Sequence, residues 1–155
     1  MTASEERRTR QRPSIESRHS AREAALQMLY QWEVGRLDIE EIKDSFWTQG
    51  TANVSKVPDD LKDFARDLAG GVAGRFGEID PVISEAAEHW RLERMNVIDR
   101  LILRLAVYEF LNEAQTPGKV IINEALELAR TYSTDDAVRF INGILDAIRR
   151  RLERE

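Results

Sequence analysis

The amino-acid sequence predicts an all-α protein of about seven helices. A long, almost wholly apolar stretch at residues 98–111 is typical of a central helix that other helices surround. Most other segments repeat apolar residues at intervals of three and four, which is the period of an amphipathic helix. No segment alternates apolar and polar residues well enough to predict a strand. With 155 residues, the chain is long enough to bury a core as one domain.

The first third of the chain is expected to hold a polar arm and two helices. Residues 1–16 lack periodicity and are interpreted as a flexible basic arm. A helix that begins near Ser17 or Ser20 is predicted to end at Gly35, because hydroxyl residues cap helix starts and glycine ends them. A shorter helix is predicted over residues 38–47.

Glycines are concentrated in the middle of the chain. A helix is predicted to begin at residues 58–60, where a proline and two acidic residues suit a first turn. Four glycines then fall within residues 70–77 without a preceding strand, which favours close helix contact or a helix end over a nucleotide-binding loop. A separate helix is expected over residues 81–90.

The last third is expected to hold the central helix and two amphipathic helices. Asn96 and Asp99 are predicted to cap the central helix, and Ser133 with Asp136 to cap the last one. A turn at residues 116–118 separates the central helix from its successor.

Polar residues interrupt the apolar pattern of the last two helices. Asn123, Glu124 and Asn142 lie among isoleucines and leucines, and buried polar groups are costly unless they are hydrogen-bonded. We therefore expect these three side chains to make buried hydrogen bonds that fix how the helices dock, with Gly143 allowing close packing.

The composition argues against several classes of protein. The chain has no cysteine, which excludes disulfides, thiolate metal sites and thiol nucleophiles. Its two histidines, His19 and His89, lack partners at metal-ligand spacing, and no nucleophile–base pattern accompanies them, so we expect no cofactor, no metal and no enzymatic activity. No run reaches membrane-spanning length and no signal peptide is recognisable, which favours a cytoplasmic protein.

Arginines are concentrated at the two ends of a chain whose net charge is −5. Residues 1–22 hold six arginines against three glutamates, and residues 149–155 hold four against two. Arg18 and Arg22 lie four residues apart on one face of the predicted first helix, with His19 beside them. Arginine pairs with phosphate and stacks on bases, so this face favours single-stranded RNA. A solvated helix start is the structural alternative, although positive charge there opposes the helix dipole.

Four segments together resemble the NusB family of bacterial transcription antitermination factors. They are residues 20–32, 98–109, 119–130 and 139–146, which follow the family's order. The strings Ile-Asn-Glu-Ala, starting at Ile122, and Phe-Ile-Asn-Gly-Ile-Leu-Asp, starting at Phe140, are the most specific parts of the resemblance.

This resemblance implies two small helical bundles packed together within one domain, residues 17–155. The N-terminal bundle would cover residues 17–77 and the C-terminal bundle residues 80–155. It also implies binding to boxA-type single-stranded RNA together with NusE, a small-subunit ribosomal protein. That pair would support an antitermination complex on RNA polymerase, chiefly on ribosomal RNA operons.

The RNA-binding candidates fall on three segments, namely Arg18, His19 and Arg22, then Lys119, and then Asp136, Arg139 and Phe140. The first segment matches the family's arginine-rich motif, although Ser17, His19 and Ser20 replace a dense arginine run. Arg139 would pair with phosphate and Phe140 would stack on a base, with a place in the core as the alternative for Phe140. The resemblance places the NusE-facing region at Glu93 and Asp99, where helix capping is a rival explanation for Asp99.

Two alternatives stay open at this stage. The chain could be a self-associating helical interaction module that has lost RNA recognition, since its arginine motif is sparse and some NusB proteins are homodimers. It could also be a stand-alone relative of the NusB-like domain of ribosomal RNA cytosine methyltransferases, which would bind RNA without methylating it.

Overall fold

The computed structural model describes residues 15–48, 57–88 and 90–155. Its six α-helices in these ranges are α1 (Ile15–Gly35), α2 (Ile39–Ser45), α3 (Asp59–Ala86), α4 (Val97–Asn112), α5 (Gly118–Tyr132) and α6 (Asp135–Arg151). Short 3-10 turns at Phe46–Thr48 and Leu92–Arg94 complete the regular structure there, without a strand. The predicted all-α class is confirmed. None of the described helices has the length and apolarity needed to cross a membrane.

Some predictions fall on residues outside these ranges. They include residues 1–14, which make up most of the predicted arm, and His89. Ile15 and Glu16, which the sequence predicts as part of the arm, belong to α1, so this helix begins earlier than a cap at Ser17 or Ser20 predicts.

Helix α4 is the centre of the fold, as its apolar sequence predicted. It packs against α1, α3, α5 and α6, and its buried residues lie on every side of the helix, including Leu101, Leu103, Val107 and Phe110. Burial of each such side chain contributes roughly 1.5–3 kcal/mol. Helices α1, α2 and α3 pack together on one side, and α5 and α6 pack with α4 on the other.

Helix α3 is continuous where the sequence predicted two helices. It runs from Asp59 to Ala86 through four glycines and Pro81. Buried residues such as Val72 and Ile79 continue through this stretch, so tertiary packing overrides the low helix propensity of glycine and proline. The boundary that the sequence predicts between residues 77 and 80 therefore lies inside one continuous helix.

Close packing accounts for one of these glycines. A Cβ atom at Gly71 would lie 2.2 Å from the ring of Tyr108 on α4, so only glycine lets the two helices approach this closely. A Cβ atom at Gly74 or Gly77 would meet nothing within 4 Å. The predicted close contact is thus confirmed at Gly71.

The helix caps differ in part from those predicted. Asn96 caps α4, its Oδ1 accepting from the Ile98 N–H at 2.8 Å, but Asp99 accepts instead from the Ser133 hydroxyl at 2.6 Å. The prediction that Ser133 caps the last helix is wrong, because Thr134 holds that position and accepts from the Ala137 N–H at 3.1 Å. Ser133 thereby ties the start of α4 to the turn between α5 and α6.

Of the three polar residues expected to be buried in α5 and α6, only Glu124 is buried. Asn123 and Asn142 are exposed, each following a buried isoleucine. Successive residues on a helix are rotated by about 100°, which turns these two side chains to the surface. The predicted packing role of Gly143 is also wrong, since a Cβ atom there would meet nothing within 4 Å.

The C-terminal residues fold back onto the loop between α4 and α5. The guanidinium of Arg154 donates to four main-chain carbonyl oxygens, those of Phe110 (3.0 Å), Glu113 (2.8 Å), Ala114 (3.5 Å) and Thr116 (2.9 Å). The Gly118 N–H donates to the main-chain oxygen of Glu155 at 2.8 Å. Arg154 therefore fixes the end of α4 and the loop that follows it through main-chain carbonyl groups. It is not part of a free basic patch.

Candidate nucleic-acid interface

Arg22 does not lie on the surface, although the sequence predicted it as an RNA contact. Its side chain is only 4% exposed, and its Nε and Nη2 atoms donate to the Glu109 carboxylate at 3.0 and 2.8 Å. The guanidinium also lies 5.5 Å from the centre of the Phe64 ring. A phosphate cannot reach this group in the folded protein. Arg22 therefore joins α1 to α4 and does not fit the predicted contact role.

The Arg22–Glu109 pair satisfies two charges that would be costly to bury alone. Burial lowers the pKa of Arg22, but the hydrogen bonds and charge of Glu109 outweigh this effect and raise the pKa above its ordinary value. For Glu109, burial raises the pKa and Arg22 opposes that rise. We interpret the pair as a buried salt bridge with a structural role.

His19 is held between two carboxylates. Its Nδ1 lies 2.7 Å from Glu124 on α5, and its Nε2 lies 3.1 Å from Glu23 on α1. The hydrogen bond to Glu124 raises the pKa of His19, against the opposing effect of partial burial. Because both ring nitrogens face carboxylates, a phosphate contact by this ring would have to displace one of them. The structure thus gives His19 a bridging position between two helices.

The same contacts extend toward the end of α5. The Tyr132 hydroxyl donates to Glu23 at 2.7 Å, and the Gln27 amide donates to that hydroxyl at 3.2 Å. Burial, together with the hydrogen bond to Glu23, raises the pKa of Tyr132 to about 12. We use the name polar network for the connected set His19, Arg22, Glu23, Glu109, Glu124 and Tyr132. Across the described residues, no cluster of histidine and carboxylate groups is arranged to hold a metal ion.

Arg18 and Lys119 are the exposed cations among the predicted RNA contacts outside α6. His19 contacts residue 124 and Glu23 contacts residue 132, so α1 and α5 run in the same direction. Arg18 and Lys119 therefore lie toward the same end of the molecule, at the starts of their helices. An anion at this end could approach both side chains from solvent.

The three candidates on α6 lie near an aromatic pair. Phe140 is half-buried and contacts Trp90 edge to face, with ring centres 5.2 Å apart. Arg139 is 82% exposed and lies 3.4 Å from Asp136. Since exposed ion pairs are weak, both side chains remain open to a ligand.

Trp90 and Phe140 line a groove of about 350 Å³. We call it the Trp90–Phe140 groove; its lining is completed by Arg94, Met95, Asn96, Asp99, Thr134, Asp136 and Ala137. Asp99, a predicted partner contact, thus lies in the same groove as two predicted RNA contacts. Glu93 is exposed on the adjacent 3-10 turn.

The candidates fall into two regions along α5. His19 contacts Glu124 in the middle of α5, and Asp99 contacts Ser133 at its end. These two contact points are about 14 Å apart along the helix axis. Arg18 and Lys119 lie toward one end of this span, and the groove lies toward the other.

Two exposed aromatic residues that border grooves received no functional role from the sequence. Trp90 follows the end of α3, and Tyr30 lies off the apolar stripe of α1. Tyr30 borders a second groove of about 350 Å³, which is apolar and is also lined by Phe46, Ile98 and Tyr132. Apolar periodicity identifies residues that face the core, so it gives no indication of aromatic residues on the surface.

Residues 19–150 match the model of the NusB family. The chain belongs to the NusB family. It is 42% identical over 139 residues to the transcription antitermination protein NusB of Koribacter versatilis, covering 90% of this chain and 92% of that protein. It is 43% identical over 136 residues to the NusB protein of Solibacter usitatus, covering 88% of this chain and 90% of that one.

Solved NusB structures share the fold. The T. maritima NusB structure aligns with a TM-score of 0.75 at 36% identity, covering 86% of this chain and 90% of that chain. A structure of the antitermination factors NusB and NusE in complex with dsRNA aligns with a TM-score of 0.72 at 26% identity, covering 87% and 97%. The family resemblance stated from the sequence is confirmed, and the protein is a member of a family of transcription antitermination proteins.

Proposed function

We propose that this NusB-family protein binds boxA-type single-stranded RNA together with NusE and supports antitermination complexes on RNA polymerase at ribosomal RNA operons. The observation that carries the proposal is the similarity, over most of the chain, to a structure of NusB and NusE in complex with dsRNA. The proposed role is binding without catalysis, and it would be exercised in the cytoplasm.

In this proposal, the RNA backbone contacts exposed cations on three helices. Arg18, Lys119 and Arg139 are open to solvent and suit phosphate. Phe140 provides an aromatic surface for a base, and the Asp136 carboxylate accepts hydrogen bonds from base amino groups. Within the proposed site, Arg22 and His19 act indirectly, since they hold α1 in position.

The proposed NusE-facing surface comprises Glu93 and Asp99. Both lie at or just before the start of α4, and a net charge of −5 on the whole chain favours a cationic protein partner. The apolar groove beside Tyr30 includes Ile98, the neighbour of Asp99, and extends this surface. An apolar centre with a charged rim is typical of protein interfaces.

A gel-shift titration tests the proposal directly. We expect tighter binding to boxA-type RNA than to a scrambled RNA of equal length, and a further increase in affinity when NusE is added. Each neutralised phosphate should contribute about 0.7 to the slope of log affinity against log salt concentration, so three cations give a slope near −2. Equal binding to both RNAs, with and without NusE, would contradict the proposal. Light scattering during the same titration separates RNA binding from the alternative of a dimer that is indifferent to RNA.

A further inference from the structure

Trp90 has an unusual position for a tryptophan. Its side chain is 62% exposed, the largest exposure of any bulky apolar side chain in the described parts of the chain. One side of the ring contacts Phe140, and the rest faces the groove and solvent. Trp90 therefore contributes little to the core, and neither the family resemblance nor the sequence pattern assigned it a function.

We propose that the Trp90–Phe140 groove binds one unpaired nucleobase of the bound RNA and that Trp90 is the surface on which this base stacks. The inference deepens the proposed function and rests on it. Phe140 was already a candidate for stacking. We add that Trp90 forms a second aromatic wall of the site. The base would lie between this wall and the polar side chains at the rim of the groove, which include Arg94 and Asp136.

The charges of the groove favour a neutral occupant. Two carboxylates line it, but Asp136 is paired with Arg139 and Asp99 accepts a hydrogen bond from Ser133. Arg94 also lines the groove. Two guanidinium groups thus balance two carboxylates, which suits a nucleobase better than a lysine or arginine side chain from a protein.

The two arginines are also placed to hold the backbone of an inserted nucleotide. Arg94 lines the groove from the 3-10 turn before α4, and Arg139 on α6 lies beside Asp136 at the rim, so the two guanidinium groups come from different elements. Phosphates on either side of a stacked base would lie outside the groove, where exposed guanidinium groups can pair with them. The interior would then bind only the base.

The Asp136 carboxylate predicts a preference among bases. A carboxylate accepts hydrogen bonds and cannot donate them, so Asp136 at the rim favours bases that carry exocyclic amino groups. Guanine, adenine and cytosine carry such groups, whereas uracil offers a carboxylate only its ring N3–H. We therefore expect the inserted base to be one of the first three.

The central experiment combines Trp90→Ala with abasic scanning of the RNA. Loss of one stacked base should weaken binding by roughly 5- to 150-fold. At one RNA position, an abasic nucleotide should weaken wild-type binding by a similar factor and have a much smaller effect on Trp90→Ala, in which only Phe140 and Asp136 still contact the base. Replacement of that base by uracil should weaken wild-type binding as well. Trp90→Phe should bind within about threefold of wild type, because it keeps an aromatic face.

Two controls exclude indirect effects. Leu111→Ala removes another exposed apolar side chain, at the far end of α4, and should not change RNA affinity. In intact protein labelled with 5-fluorotryptophan, RNA should shift the 19F resonance that disappears in Trp90→Phe. This measurement does not depend on the stability of Trp90→Ala.

The outcomes separate the inference from the proposed function. Wild-type affinity in Trp90→Ala, with weaker binding in Arg18→Ala, would overturn the inference and leave the proposed function intact. The inference would also be overturned if Trp90→Ala bound more weakly but every abasic position weakened wild type and Trp90→Ala by the same factor. The tryptophan would then affect binding by stabilising the fold and not by contacting a base. Failure of the wild-type protein to distinguish boxA from scrambled RNA would instead contradict the proposed function.

Discussion

The polar network and the Trp90–Phe140 groove use the same residue types in opposite ways. In the network, Arg22 is buried and its charge is balanced by Glu109 across two helices. Beside the groove, Arg139 is exposed and its contact with Asp136 spans less than one helical turn. The sequence spacing of arginines, such as the four residues between Arg18 and Arg22, therefore does not indicate which arginine is available to a ligand. The carboxylate that each one faces decides this.

The largest effect is expected from breaking the buried pair. Arg22→Ala leaves the Glu109 carboxylate buried without a partner, which should lower the free energy of unfolding by about 3–5 kcal/mol. Urea denaturation measures this change. An RNA contact on the surface would instead lose affinity with little change in stability.

A matched double variant separates these possibilities. Arg22→Met with Glu109→Leu replaces both charges by apolar groups of similar size, which should be nearly neutral for stability. We expect this variant to keep RNA affinity, provided that Arg22 acts only through packing. A folded double variant that no longer binds RNA would show that Arg22 contacts the RNA after all.

The next largest effect concerns Arg154, another arginine consumed by the fold. Arg154→Ala removes hydrogen bonds to four carbonyl oxygens at the end of α4 and in the loop that follows it, and should cost about 1–3 kcal/mol. Arg151→Ala is the matched control, because its exposed side chain should contribute less than about 0.5 kcal/mol. Equal melting temperatures for the two variants would contradict this interpretation of the C-terminal residues.

The sequence predicted the helical class, the central α4 and the family, because apolar periodicity and specific strings are properties of the chain itself. It could not predict that α3 continues through Pro81, since that depends on packing against other helices. The sequence also predicted Arg18 and Arg22 as one RNA-binding face, because it does not show which of the two side chains the fold buries. The burial of Arg22 requires Glu109, which is 87 residues away and becomes its neighbour only after folding.

The candidate site was predictable to a different extent in each region. Arg18, Lys119 and Arg139 were identified as cations, and the structure leaves all three exposed. Trp90 had no distinguishing pattern, because exposure of an aromatic ring depends on what the rest of the fold leaves uncovered. The pairing of Asp99 with Ser133 likewise joins elements that no local motif relates.

Changes at the exposed cations should affect binding and leave stability nearly unchanged. Arg18→Ala and Lys119→Ala should each weaken RNA binding and reduce the salt slope by about 0.7. Their free energies of unfolding should stay within about 0.5 kcal/mol of wild type, in contrast to Arg22→Ala. Arg151→Ala again serves as the control. A variant with lower affinity but an unchanged salt slope would indicate that the lost cation does not contact a phosphate.

The smallest expected effect is a pH dependence within the polar network. Glu124, Glu23 and Glu127 all raise the pKa of His19 above its ordinary value of 6.5. A histidine with a raised folded-state pKa stabilises the protein fully below the unfolded value, and this contribution is lost as pH rises through the folded value. The stability difference between wild type and His19→Gln should therefore be largest below about pH 6.

Imidazole titration by NMR checks this prediction without unfolding the protein. The chain has two histidines, so the His19 resonance can be assigned with His19→Gln. It should titrate above 6.5, and Glu124→Gln should move its pKa back toward that value because the strongest hydrogen bond to the ring is weakened. A His19 pKa at or below 6.5 in the wild-type protein would mean that desolvation outweighs the carboxylates. His19 would then not be a charged member of the polar network, and the comparison between this network and the Trp90–Phe140 groove would apply to Arg22 and not to His19.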